Sequence, residues 1–123
     1  MTAIGQPTIS PIQCAPWCVY GDGHPQQFMR GDQTCWGADH YVEASTEELR
    51  AEYNGRTGER TVFPAHIGPC AYRGFNEHPV VYLHVDVPTR QVDVSVKLTA
   101  AEARALAAHL IEVAELIEGT GLA

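Results

Sequence analysis

"VVYLHVDVPTRQVDVSVKLTAAEARALAAHLIEVAELIEG", residues 80–119, changes its periodicity partway along. In the first part apolar residues alternate. Val81, Leu83, Val85 and Val87 share one face, and Val80, Tyr82, His84 and Asp86 share the other. After Pro88-Thr89-Arg90 the alternation resumes with Val92, Val94, Val96 and Leu98 against Gln91, Asp93, Ser95 and Lys97. A period of two over both runs predicts an antiparallel hairpin near 80–97 with one aliphatic face. From Thr99 the spacing becomes helical. Ala103, Leu106, Ala107, Leu110, Val113, Ala114 and Ile117 fall on one side of a helix over 99–118. Thr99 and Glu102 form a capping box at its start, and Gly119 stands where it should stop. The simplest packing lays this helix over the aliphatic face of the hairpin. The fold class is therefore α+β, a short antiparallel sheet with one long C-terminal helix.

Upstream of the hairpin the signals are shorter. "HYVEA", 40–44, reads as a brief strand. "STEELRAEY", 45–53, begins like a helix of two turns at most. "NGRTG", 54–58, reads as a turn, and "RTVFPAHI", 60–67, as an edge strand, since Pro64 has no amide to donate. Residues 1–13, with Pro7 and Pro11, read as an extended arm.

Residues 14–40, "CAPWCVYGDGHPQQFMRGDQTCWGADH", are of another kind. Four glycines and two prolines break any regular element, and aliphatic residues are scarce. Three of the four cysteines lie here with two histidines and both tryptophans. Cys14 and Cys18 have three residues between them, close enough for two thiolates to reach one ion across a turn. His24, Cys35 and His40 follow. Zinc takes four soft or borderline ligands in a tetrahedron. A segment without a core of its own needs something to offset its chain entropy, and structural zinc supplies ~10–16 kcal/mol of apparent binding free energy. The ligand set is Cys14, Cys18, His24 and Cys35, with His40 the alternative fourth ligand. Cys70, four residues after His66, is a further candidate to complete the site or to start a second one. Free buried thiols and a Cys14–Cys18 or Cys18–Cys35 disulfide are the competing readings. The division is thus an arm (1–13), a zinc knuckle (14–40), and a sheet with helix (41–123) that forms one compact domain with the knuckle.

The knuckle and the helix together resemble an uncharacterised domain-of-unknown-function family of small actinobacterial and actinophage proteins. The residues that carry the resemblance are Cys14, Trp17, Cys18 and His24, and the "LTAAEARALAAHL" helix, 98–110. Cys35 stands about where that family places a second histidine. The resemblance implies the architecture and brings no activity with it.

Charge and composition narrow the function. The chain has 123 residues, 45% hydrophobic, with 8 basic and 15 acidic side chains and a net charge of −7. Such a surface repels phosphate backbones, and the knuckle carries Arg30 against Asp22, Asp32 and Asp39, so no nucleic acid is expected. No run approaches the ~18 apolar residues that span a bilayer. The N-terminus lacks the basic head and apolar stretch of a signal peptide, and a cytoplasmic location is expected. Arg30-Gly31-Asp32 reads as a turn. His84 reads as solvated, and His109 as a partly buried imidazole at the edge of the apolar stripe. Trp17 and Trp36 read as packing on the knuckle, with a partner anchor as the alternative.

No phosphate loop and no glutamate placed for a zinc-bound water are found. The sequence reads as a non-enzymatic zinc-binding protein acting through protein contacts. A zinc-knuckle nucleic-acid-binding regulator and a small metal-dependent enzyme are the alternatives. Ile111 and Leu116 flank the helix stripe, which points to a homodimer or an unidentified protein partner docking through the C-terminal helix.

Overall fold

The computed structural model describes residues 9–121, and residues 1–8 of the expected arm lie outside them. Seven strands and one α-helix follow in order: β1 (Cys35–Trp36), β2 (Val42–Glu43), β3 (Arg50–Tyr53), β4 (Arg60–Phe63), β5 (His66–Arg73), β6 (Val80–Val87), β7 (Val92–Leu98) and α1 (Ala100–Gly119). Every strand pairing is antiparallel. β5, β6 and β7 form the main sheet, β1 and β2 both pair with the outer edge of β5, and β3 and β4 make a separate ribbon.

The hairpin forms as the alternation requires. Val81 faces Leu98, Leu83 faces Val96, Val85 faces Val94 and Val87 faces Val92, so the aliphatic residues of both strands share one side. Ile67, Pro69 and Ala71 extend that side across β5. Pro88–Arg90 turn as one 3₁₀ unit, and Gln91 closes the reversal in the left-handed region at φ 55°.

β1 and β2 behave as one edge strand with a bulge. Trp36 pairs with Tyr72 and Val42 with Ile67, so five residues on the edge strand oppose four on β5. The bulged backbone crosses directly over Gly68. A Cβ there would lie 2.1 Å from the His40 carbonyl oxygen, so only glycine fits.

The run 60–67, read as one edge strand, breaks after Phe63: Arg60–Phe63 is β4 and His66 opens β5, which is paired on both sides. Three further expectations change. The segment read as a helix start at 45–53 instead supplies β3, paired from Arg50↔Phe63 to Tyr53↔Arg60. Pairing with β4 outweighs the helix propensity of a segment too short to nucleate alone. The turn between these strands is where "NGRTG" places it, with the Asn54 side chain accepting from the Arg56 and Thr57 amides.

The second change concerns α1. The capping box is present: Thr99 Oγ1 accepts from the Glu102 amide at 3.1 Å, and Glu102 Oε1 accepts from the Thr99 amide at 2.8 Å. The helix ends at Gly119 as expected, although the left-handed glycine beyond it is Gly121. It does not lie over the sheet. Only Ala103 is half-buried, and every residue from Arg104 to Gly119 is exposed. One residue, Thr99, separates β7 from α1, and a chain reversal needs a connection of about 2–6 residues.

Third, His109 is 76% exposed, 3.7 Å from the Glu112 carboxylate, and not partly buried. With the helix away from the sheet, nothing covers that edge of its stripe. The central strand β6 is consequently half-buried along its whole length. The apolar core is small: Ala15, Cys35, Ala65 and Cys70 are its buried members.

Candidate metal centre

The chain from Ile9 to Trp36 folds around four side chains. Two backbone hydrogen bonds lay the start of the segment along the histidine turn, Ile9 to the Pro25 carbonyl and Ile12 to the Gly23 carbonyl. Cys18 donates its amide to the Ala15 carbonyl at 3.0 Å, which closes the tight turn carrying Cys14 and Cys18. Gly23 and His24 both have positive φ, 81° and 55°. That pair of left-handed residues turns the imidazole back toward the cysteines. β1 delivers Cys35 from the sheet edge, fully buried.

As a result Cys14, Cys18, His24 and Cys35 place their ligand atoms within 4.8 Å of one another. His24 Nε2 is 3.5 Å from Cys18 Sγ and 3.8 Å from Cys35 Sγ. A tetrahedron with Zn–S of about 2.3 Å and Zn–N of about 2.0 Å has N···S edges of about 3.5 Å. The two N···S separations are therefore close to the edges of a filled zinc site. All four cysteines are free thiols, so neither expected disulfide alternative is formed.

Surrounding groups orient these ligands. Asp22 Oδ1 accepts from the His24 amide at 2.9 Å and lies 3.8 Å from His24 Nδ1. The carboxylate thus lies on the Nδ1 side of the ring, while Nε2 faces the sulfurs. The Gly23 amide donates to Cys14 Sγ at 3.3 Å, and Arg73 of β5 donates to Cys35 Sγ at 3.6 Å and to the Gln13 carbonyl.

The thiols are unequal. Burial pushes the Cys14 thiol up to about 11, helped by Cys35 and Cys18, with the Gly23 amide acting against it. Burial also opposes ionisation of Cys18. There the backbone amides of Gly21, Tyr20 and Trp36, with Cys35, outweigh it and bring the thiol down to about 6.

Gln33 was not foreseen as part of the site. It is fully buried, and its amide nitrogen donates to the carbonyls of Ser10 (2.9 Å) and His24 (3.1 Å). Arg30 donates to its oxygen at 3.0 Å. It thus fills the middle of the knuckle where an aliphatic side chain would leave carbonyls unsatisfied. A lone glutamine in a loop carries no sequence signal for this. Asp22 did carry one, since an aspartate two residues before a turn residue commonly accepts its amide.

The other candidates lie elsewhere. His40 is exposed on the bulge, its amide donating to the Pro69 carbonyl. Cys70 is buried on the opposite face of β5, paired with Tyr82, and burial and the Asp39 carboxylate raise its thiol above the ordinary range. Neither joins the group of four. Trp36 packs on Tyr72 and Tyr82, at 4.5 and 5.0 Å, on the sheet face. His84 is only 24% exposed and meets Asp93 at 2.5 Å, so it is hydrogen-bonded on a half-covered face and not freely solvated. Arg30–Asp32 form a single 3₁₀ turn.

The chain belongs to the family described as Domain of unknown function (DUF6907), whose model matches residues 2–121. No curated protein and no solved structure matches it. Among the described residues no helix is long and apolar enough to cross a membrane.

Proposed function

We propose that this DUF6907 chain is a non-enzymatic protein whose N-terminal knuckle is held by one structural zinc ion and which works through protein contacts. The observation that carries the reading is the Cys14–Cys18–His24–Cys35 cluster, four ligand atoms within 4.8 Å in a segment with almost no apolar core. Four protein ligands complete a tetrahedron and leave no position for a reacting water, which is the pattern of structural rather than catalytic zinc. Thiolate and imidazole ligands favour zinc over magnesium or calcium. The proposed location is the cytoplasm, where thiols stay reduced. The Cys14–Trp17–Cys18–His24 pattern supports an origin among small actinobacterial or phage proteins.

Nucleic acid is not the proposed partner. The one basic side chain of residues 14–40, Arg30, is turned onto the Ser10 carbonyl and Gln33, and the chain carries a net charge of −7.

Protein purified without added metal is expected to contain one zinc per chain by elemental analysis, and Cys14→Ser to contain well under half of that. A folded, fully reduced protein free of metal would overturn the reading.

Metal affinity should depend on pH with a definite sign. At pH 7 Cys18, at about 6, is already ionised, while Cys14, at about 11, still holds its proton. Binding must displace that proton, so raising the pH strengthens binding. From Cys14 alone the apparent affinity should rise about tenfold per pH unit between pH 7 and 9. Below pH 6 the slope should steepen as Cys18 also takes up a proton. Competition with a chromophoric chelator measures this, and a flat profile would contradict the arrangement.

A further inference from the structure

Two apolar surfaces of this chain face solvent and match one another. One is the aliphatic side of the main sheet, where Val94 and Val96 are 54% and 53% exposed and the central β6 is only half-buried. The other is the stripe of α1, where Leu110 is 62% exposed and Ile117 57%. A sheet with one aliphatic face and a helix with one apolar stripe are the two layers of an ordinary domain, each stable only when the other covers it.

The amount of exposed surface points the same way. The chain exposes 9459 Å². A compact monomer of 13.4 kDa exposes about 6,500 Å², so the excess is about 3,000 Å² per chain. Obligate homodimers bury about 2,000–5,000 Å² in total, so this excess, part of which belongs to the exposed β3–β4 ribbon, leaves room for an interface of that class.

The joint between the layers excludes the simplest closure. Thr99 alone links β7 to α1, and both its amide and its hydroxyl are engaged in the cap with Glu102. A helix that doubled back over its own sheet would need a longer link than this single residue. Lengths agree as well. Twenty helical residues span about 30 Å, and strands of seven or eight residues about 23–27 Å.

We infer that the occupant of each surface is a second copy of this chain, in a twofold dimer where the helix of one copy lies across the aliphatic sheet face of the other. A twofold arrangement covers both surfaces of both copies with one contact type. An unrelated partner would have to bring both a helix for the sheet and a sheet for the helix. This inference rests on the reading that the protein works through protein contacts, and it names the partner.

Sedimentation or light scattering of the metal-replete protein at micromolar concentration should give twice the 13.4 kDa chain mass. Val96→Glu on the sheet and Leu110→Glu on the helix, made separately, should each raise the dimer dissociation constant at least about 100-fold, because either buries a charge against aliphatic side chains. Both positions are exposed within one chain, so metal content and the hairpin should survive, and metal content reports that the variant is folded. A photocrosslinker at position 110 in an otherwise native chain gives a readout that does not depend on any destabilising variant. In mixtures of isotopically light and heavy protein its crosslinks should join different copies and land on β6 or β7. Crosslinks from helix to helix, crosslinks within one copy, or a monomer at 100 μM would each overturn the proposal. A metal-loaded monomer refutes only this arrangement, and a metal-free dimer refutes only the zinc reading.

Discussion

Stripping the metal with a strong chelator, or replacing Cys18 by Ser, is expected to unfold residues 9–37 while leaving the β5–β7 pairings largely in place. The segment has Ala15 and Cys35 as its buried apolar residues, and its remaining buried side chains, His24 and Gln33, are polar. Without metal nothing compensates the ordering of that backbone, which costs about 1–2 kcal/mol per residue. Structural zinc contributes an apparent ~10–16 kcal/mol, as much as the whole stability of an ordinary domain. Hydrogen exchange resolved by residue tests this directly. Amides of Ile12, Cys18 and Val19, all hydrogen-bonded in the knuckle, should lose their protection on chelation. The amides shared by β6 and β7 should keep most of theirs. Unchanged protection at Cys18 in the metal-free protein would remove the metal from the account of this fold.

Gly23→Ala is expected to be nearly as damaging although Gly23 is not itself one of the four candidate ligands. Its φ is +81°, a region that a side chain enters at a cost of about 1–2 kcal/mol. A Cβ would also lie 2.6 Å from Pro11 Cβ and 2.7 Å from the Ile12 carbonyl oxygen. Relieving that contact means pushing residues 11–12 away, which breaks the bond from the Ile12 amide to the Gly23 carbonyl and moves the amide that donates to Cys14. We expect a loss above about 3 kcal/mol in the knuckle and at least a 100-fold weaker hold on zinc. Gly31→Ala is the control. Nothing lies within 4 Å of its Cβ position, so it should melt and bind metal like the parent. If both variants behave alike, the close packing of the arm on the histidine turn has no energetic weight.

The hairpin and the helix were legible in the sequence because each rests on a local rule. Alternation from Val81 to Leu98 sets the face of every residue once the strands pair, and Thr99 with Glu102 marks the helix start by chemistry alone. What could not be read was where the helix goes. An amphipathic stripe says that one side needs cover but not what supplies it, and here a one-residue joint decides the matter. The strand at 50–53 was hidden for a similar reason. Glu, Leu and Ala favour a helix locally, and only pairing with Arg60–Phe63 overrides them. In the knuckle, three cysteines and a histidine were recognisable because soft ligands are few and closely spaced. The choice of His24 over His40 depended on two consecutive positive-φ residues and on a bulge that carries His40 along the far edge of β5. Neither follows from ligand spacing.

Cys35 belongs to two structures at once, being a residue of β1 and a member of the cluster. Cys14, Cys18 and His24 are near neighbours along the chain and can gather within the tens of nanoseconds that short loops need to close. Cys35 is buried and held by Arg73, 38 residues away. It thereby ties the cluster to the edge of the sheet, a contact whose closure cost grows with the logarithm of the intervening length. A change that peels β1 from β5 is expected to draw Cys35 out of the cluster while leaving Cys14, Cys18 and His24 together.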